Sequence, residues 1–96
     1  MNLLVVYDVA TTTSEGKRRL RAVAKVCEGF GQRVQYSVFE VSCSPTDFAK
    51  LYARLLDKVK ADEDRLRIYS LPVDAWDRVM LIGSTMEIPQ DDPWTL

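Results

Sequence analysis

Near its N-terminus the chain runs from Leu3 to Val9 with apolar side chains on both alternating faces: Leu3, Val5 and Tyr7 on one, Leu4 and Val6 on the other. That pattern predicts a central β-strand covered on both sides. Thr11, Thr12, Thr13 and Ser14 then offer N-cap hydroxyls, and Leu20, Val23, Ala24 and Cys27 recur at helical spacing. They mark the buried stripe of a first helix, with Arg18, Arg21 and Lys25 on another face and Gly29 and Gly31 ending it. Ser14 and Lys17 do not make a capping box, which leaves the cap open by a residue or two.

From Arg33 to Val41 the residues Val34, Tyr36 and Val38 alternate against Gln35, Ser37 and Phe39. This fits one bent strand or two short ones meeting at Tyr36-Ser37. Ser44-Pro45 opens a second helix whose buried face is Phe48, Leu51, Tyr52, Leu55, Leu56 and Val59. After the polar break Ala61 to Asp64, two further strands are predicted, Leu66 to Leu71 and Val79 to Gly83. The order strand, helix, strands, helix, strands predicts an α+β fold of the split βαβ or ferredoxin-like type, one sheet with two helices on one face. Its other face is bare, and a first strand apolar on both sides predicts a second copy, a homodimer closed through the open sheet face. Residues 1–96 read as one domain, with a core over 1–83 and a tail or exchanged strand over 84–96.

Composition narrows the chemistry. The 96 residues contain no histidine and two cysteines, Cys27 and Cys43, outside any CxxC spacing. Zinc sites, disulfide frameworks and every imidazole-based mechanism are thereby disfavoured, and hydrolysis would have to rest on carboxylates and a metal. The first apolar run is interrupted by Asp8 and follows no basic segment, so it predicts neither a signal peptide nor a membrane span, and the expected location is the cytosol. The formal net charge is −1, but it is unevenly spread. Basic residues dominate up to Tyr36, and acidic ones dominate from Ala61 onward. The N-terminal third is therefore a candidate polyanion surface.

Asp8 stands out within that third, because a carboxylate at the end of a buried strand can meet a cation or a phosphate. A cap for the following turn is the plainer alternative. One Asp holds a hard divalent cation poorly, whereas twofold symmetry would bring a second Asp8 to it. Two such carboxylates repel, and a metal between them would relieve the repulsion.

Three stretches together resemble a known family: Leu4-Val5-Val6-Tyr7-Asp8-Val9; Gly16-Lys17-Arg18-Arg19-Leu20-Arg21 with Val23, Lys25 and Cys27; and Gly31 to Glu40, which reads Gly-Gln-Arg-Val-Gln-Tyr-Ser-Val-Phe-Glu. They are similar to the CRISPR-associated endonuclease family that forms the small core subunit of spacer acquisition. Tyr36 departs from the Asn or Arg expected there, and Asp92-Pro93-Trp94-Thr95-Leu96 looks like the family's terminal strand, added to the partner's sheet. The resemblance implies a ferredoxin-like homodimer that docks with the CRISPR integrase and carries double-stranded DNA. It also implies cleavage of single-stranded RNA or double-stranded DNA with Mg2+ or Mn2+, with Asp8 as the catalytic and metal-binding residue. Members without cleavage exist, and the alternative is a non-catalytic DNA-binding scaffold of the integrase complex. Arg18, Arg19, Arg21, Lys25 and Arg33 are the expected nucleic-acid contacts, with Tyr7, Ser37 and Phe39 as a border of the site. A small-molecule-sensing domain is a third reading, and the chain has no glycine-rich phosphate loop to support it.

Overall fold

Alternate residues of a strand point to opposite faces, so an apolar strand with a helix on one side leaves a second surface to account for. In the computed structural model, which describes residues 1–83, that strand is β1 (Asn2–Asp8), followed by α1 (Ser14–Glu28), β2 (Gly31–Gln35), β3 (Val38–Ser42), α2 (Pro45–Lys58) and β4 (Arg65–Leu71). The strands form one antiparallel sheet in the order β2-β3-β1-β4. This is the ferredoxin-like arrangement, with both helices on one face. Of the two readings of Arg33 to Val41, the structure takes the second: β2 and β3 are separate strands around a turn at Tyr36-Ser37.

Register explains the core. Leu3 lies opposite Val41, and Val5 lies between Phe39 and Ile68. Leu3, Val5, Tyr7, Phe39 and Val41 are sealed under Leu20, Val23, Ala24 and Cys27 of α1 and Leu51 and Leu55 of α2. Each large apolar side chain so buried contributes roughly 1.5–3 kcal/mol. Burial pushes the Cys27 thiol up to about 12, which suits a packing residue rather than a nucleophile.

The caps fix where the helices begin. The Thr13 hydroxyl accepts from the Gly16 amide at 3.0 Å, and the Ser44 hydroxyl accepts from the Asp47 amide at 3.1 Å with Pro45 in the first turn. Gly16 is required by crowding: a methyl group there would come within 1.6 Å of the Ala10 carbonyl oxygen. The loop that follows Asp8 is thus pressed onto the start of α1.

One predicted strand takes a different form. Val79 to Gly83 forms no strand and has no ladder partner among the described residues; Met80 is 90% and Ile82 96% exposed. Its composition suits a strand, but a strand needs a neighbour, and within the described residues of one protomer none is offered. The expectation of a tail or exchanged strand over 84–96 falls outside the described residues. On the side of the sheet away from the helices, Leu4 and Val6 are only half-buried, so the open face predicted for a single copy is present.

Candidate functional site

Asp8 is the last residue of β1, exposed, and shares the open face with Leu4 and Val6. Across the ladder from it stands Arg65, and Val6 faces Arg67. Asp8, Ser37, Arg65, Arg67 and Tyr69 line a cleft of about 360 Å³ together with Val6 and Tyr7. Arg67 donates to the Tyr69 hydroxyl at 3.3 Å, and that bond with the Asp8 charge raises the guanidinium pKa. Among the described residues no ion pair forms at Asp8. The carboxylate is available, and the charged residues that share its cleft are cations.

The next residue back behaves oppositely. Tyr7 is buried on the helix face, where its hydroxyl donates to Asp64 at 2.5 Å. Arg19 holds the same carboxylate with two donors, Nε at 2.8 Å and Nη2 at 3.1 Å, and also reaches Glu63. The Lys60 amide adds a further bond to Asp64. Burial works to raise the Asp64 pKa, but the bonds from Arg19, Tyr7 and Lys60 outweigh it and hold the carboxyl below its ordinary value. Burial and the Asp64 carboxylate both push the Tyr7 phenol upward. This network ties the end of β1 to α1 and to the loop before β4.

The expected site residues therefore divide. Asp8 and Ser37 meet in the cleft, and the Tyr7 amide donates to the Ser37 carbonyl at 2.9 Å, so Tyr7 borders it through its backbone while its ring faces the core. Phe39 is fully buried under the helices, because its register opposite Val5 puts it on the helix face; it does not border the cleft. Arg19 is not presented to solvent as a phosphate contact, because Asp64 and Glu63 occupy its donors. Its position between Gly16 and Val23 puts it on the buried stripe of α1, a signal the spacing already carried. Arg33 folds back onto the Tyr36 carbonyl, at 2.8 Å from Nε, and lies over the Tyr36 and Phe39 rings, so it braces the β2–β3 turn. Arg18, Arg21 and Lys25 are exposed on α1 as expected. Arg65, Arg67 and Tyr69 were missed, although their alternation with Leu66 and Ile68 marks a strand with one charged face.

A larger groove of about 550 Å³ lies between α2 and β4 and is lined mainly by Tyr52, Leu55, Leu56, Val59, Leu66 and Ile68. Its lining is mostly apolar but also includes Asp64 and Arg65, the latter shared with the Asp8 cleft. Among the described residues no three metal-ligating side chains cluster. One protomer offers a divalent cation a single carboxylate beside two arginines, fewer oxygen ligands than such an ion takes. No helix among the described residues is long and apolar enough to cross a membrane.

Comparison with known proteins converges on one family. A family profile described as CRISPR associated protein Cas2 matches residues 1–79. The chain is 46% identical over 96 residues to the CRISPR-associated endoribonuclease Cas2 1 of Moorella thermoacetica, covering 100% of both chains. It is 41% identical to the CRISPR-associated endonuclease Cas2 of Halalkalibacterium halodurans over 97% of each chain. The crystal structure of Streptococcus pyogenes Cas2 at pH 6.5 superposes with a TM-score of 0.81 at 44% identity, covering 86% of this chain and 100% of that one.

Proposed function

The chain belongs to the CRISPR associated protein Cas2 family, and from that premise we propose that it works as a homodimeric, metal-dependent endonuclease in CRISPR adaptation. The carrying observation is the available Asp8 carboxylate at a strand end, in a cleft with Ser37 and two guanidinium groups. A second copy seated on the open face would cover Leu4, Val6 and Val38 and bring a second Asp8 to the first. Support for pairing also comes from Val79 to Ile82, four exposed apolar residues in a molecule whose β4 edge has no neighbour among the described residues. Adding that run to the edge of the other copy would satisfy both.

In this reading the two Asp8 carboxylates would hold Mg2+, or Mn2+, which would supply Lewis acidity to phosphodiester hydrolysis. The protein's own part is positioning. The Tyr7–Asp64–Arg19 network fixes the strand end that carries Asp8, and the cleft arginines balance phosphate charge. Single-stranded RNA and double-stranded DNA are the substrates to compare, and such work belongs in the cytosol. The test is cleavage of both with Mg2+, Mn2+ and chelator by the wild type and by Asp8→Asn. Loss of metal-dependent cleavage in the variant is expected; equal rates would remove Asp8 from the reaction.

A second reading rests on α1. Arg18, Arg21 and Lys25 lie exposed along one helix, and a dimer doubles the stripe into a track for a duplex. That surface supports a DNA-binding scaffold that partners the CRISPR integrase, with or without cleavage. Binding should fall with salt at a log–log slope of about −0.9 per phosphate neutralised. Charge reversal at Arg18 and Arg21 should flatten it.

A further inference from the structure

We propose that Asn2, Ser42 and Trp76 form a polar lock that commits the run Val79 to Ile82 to a second copy of this chain and away from its own sheet, a role that rests on the homodimer reading.

Asn2, Leu4, Val6 and Asp8 alternate onto the open face of β1, and register sets Asn2 between Ser42 of β3 and Leu71 of β4. Beyond Leu71 the chain turns over this end of the sheet, the end remote from Asp8, and side chains of the open face hold it there. The Asn2 side-chain amide donates to the carbonyls of Pro72, at 3.1 Å, and Val73, at 2.9 Å. The Ser42 hydroxyl donates to Asn2 Oδ1 at 2.8 Å and accepts from the Trp76 indole N–H at 2.7 Å. A single 3₁₀ turn, Ala75–Arg78, carries that ring, and an ion pair from Arg78 to Asp74 at 2.8 Å braces it. Asn2 thus uses both its donors and its oxygen on this contact, and the indole reaches past β1 to a partner 34 residues away in sequence.

This fastening limits where the run can go. Val79 follows the lock directly, its amide bonded to the Trp76 carbonyl at 3.4 Å. The sheet order is β2-β3-β1-β4, so β4 is an unpaired edge while the indole is fastened at β3. Those two strands are about 10 Å apart, with β1 between them. To lie along its own β4, the run would have to double back over β1 and β4 and release the indole. Val79, Met80, Leu81 and Ile82 are all exposed and have no ladder partner among the described residues. Four apolar residues held at the rim of an apolar face fit an occupant that covers that face and brings an unpaired strand edge of its own. A second copy has both.

Sedimentation of the full chain over a concentration series measures the dimer dissociation constant of the wild type, Trp76→Phe, Ile82→Ser and the two combined. Trp76→Phe keeps an aromatic ring and removes the N–H, and it should raise the constant about five- to tenfold. Ser42→Ala removes the same bond from its other side and should act alike. Ile82 is exposed in one protomer, so Ile82→Ser should leave the circular dichroism unchanged and raise the constant about tenfold or more. Because the lock acts through the run, the two effects should not add: the combined variant should dimerise within about twofold of Ile82→Ser alone. Full additivity would make Trp76 an ordinary interface contact and overturns the lock. So does a dissociation constant unchanged in both Trp76→Phe and Ser42→Ala. A wild type that stays monomeric at every concentration removes the homodimer reading and the lock with it, a result distinct from a dimer indifferent to these substitutions.

Discussion

Two acids of this protein have arginines for neighbours, and they are used in opposite ways. The Asp64 side chain is completely buried, bonded by Arg19, Tyr7 and a backbone amide, and has nothing left to offer a ligand. Asp8 is exposed, faces Arg65 across the ladder and is paired with neither cleft arginine. One strand meets both neighbourhoods, since Tyr7 turns to the helices and Asp8 to the open face. The difference teaches that an acid's role here is set by which side of the sheet it meets. On the helix side, charge must be matched to be tolerated; on the open side it can wait for a partner.

The comparison breaks most sharply in stability. Asp64→Ala should cost about 1–3 kcal/mol, because it leaves the buried Tyr7 hydroxyl without its acceptor and Arg19 with Glu63 alone. Urea unfolding followed by circular dichroism measures it, and a loss no greater than that of Arg65→Ala would erase the distinction between the two acids.

Acid titration gives a smaller effect of known sign. The Asp64 carboxyl is held below its ordinary value in the folded protein, so its contribution is present above the unfolded carboxylate pKa, about 3.9, and is lost as pH falls through the lower folded one. Wild type should lose stability below about pH 4 more steeply than Asp64→Asn does. Parallel curves for the two would show that the network does not depend on this charge.

Smallest of all should be the effect on the open side. Asp8→Asn and Arg65→Ala should each leave the unfolding free energy within about 0.5 kcal/mol of wild type, as surface substitutions do. A larger stabilisation by Asp8→Asn would sharpen the picture differently, by showing that the two acids of a dimer repel each other without metal.

Much of the fold was legible in the sequence, for reasons that differ by element. The α1 and α2 stripes have helical spacing over four turns or so, and β1 is apolar without interruption, so local pattern and tertiary burial agree. Asp8 could be singled out because it breaks that run. Arg19 misled because it stands beside Arg18 in sequence, while a helix turns about 100° per residue and carries the two to different surroundings. Phe39 misled for a related reason: only its register opposite Val5 shows which face it takes. Val79 to Gly83 has the composition of a strand, yet pairing is a property of two segments, and the second is not within the described residues of one chain.

What the amino-acid order determined by itself was therefore local and periodic: helices, the central strand, the absence of imidazole chemistry, and one acid placed against the pattern. What only the tertiary structure decided was adjacency between distant segments. The partner of Arg19 is 45 residues away along the chain, and the neighbours of Asp8 come from β4 and from the β2–β3 turn. No local rule reaches that far, because which charges meet depends on strand order and register, and those are settled by burying the whole apolar set at once.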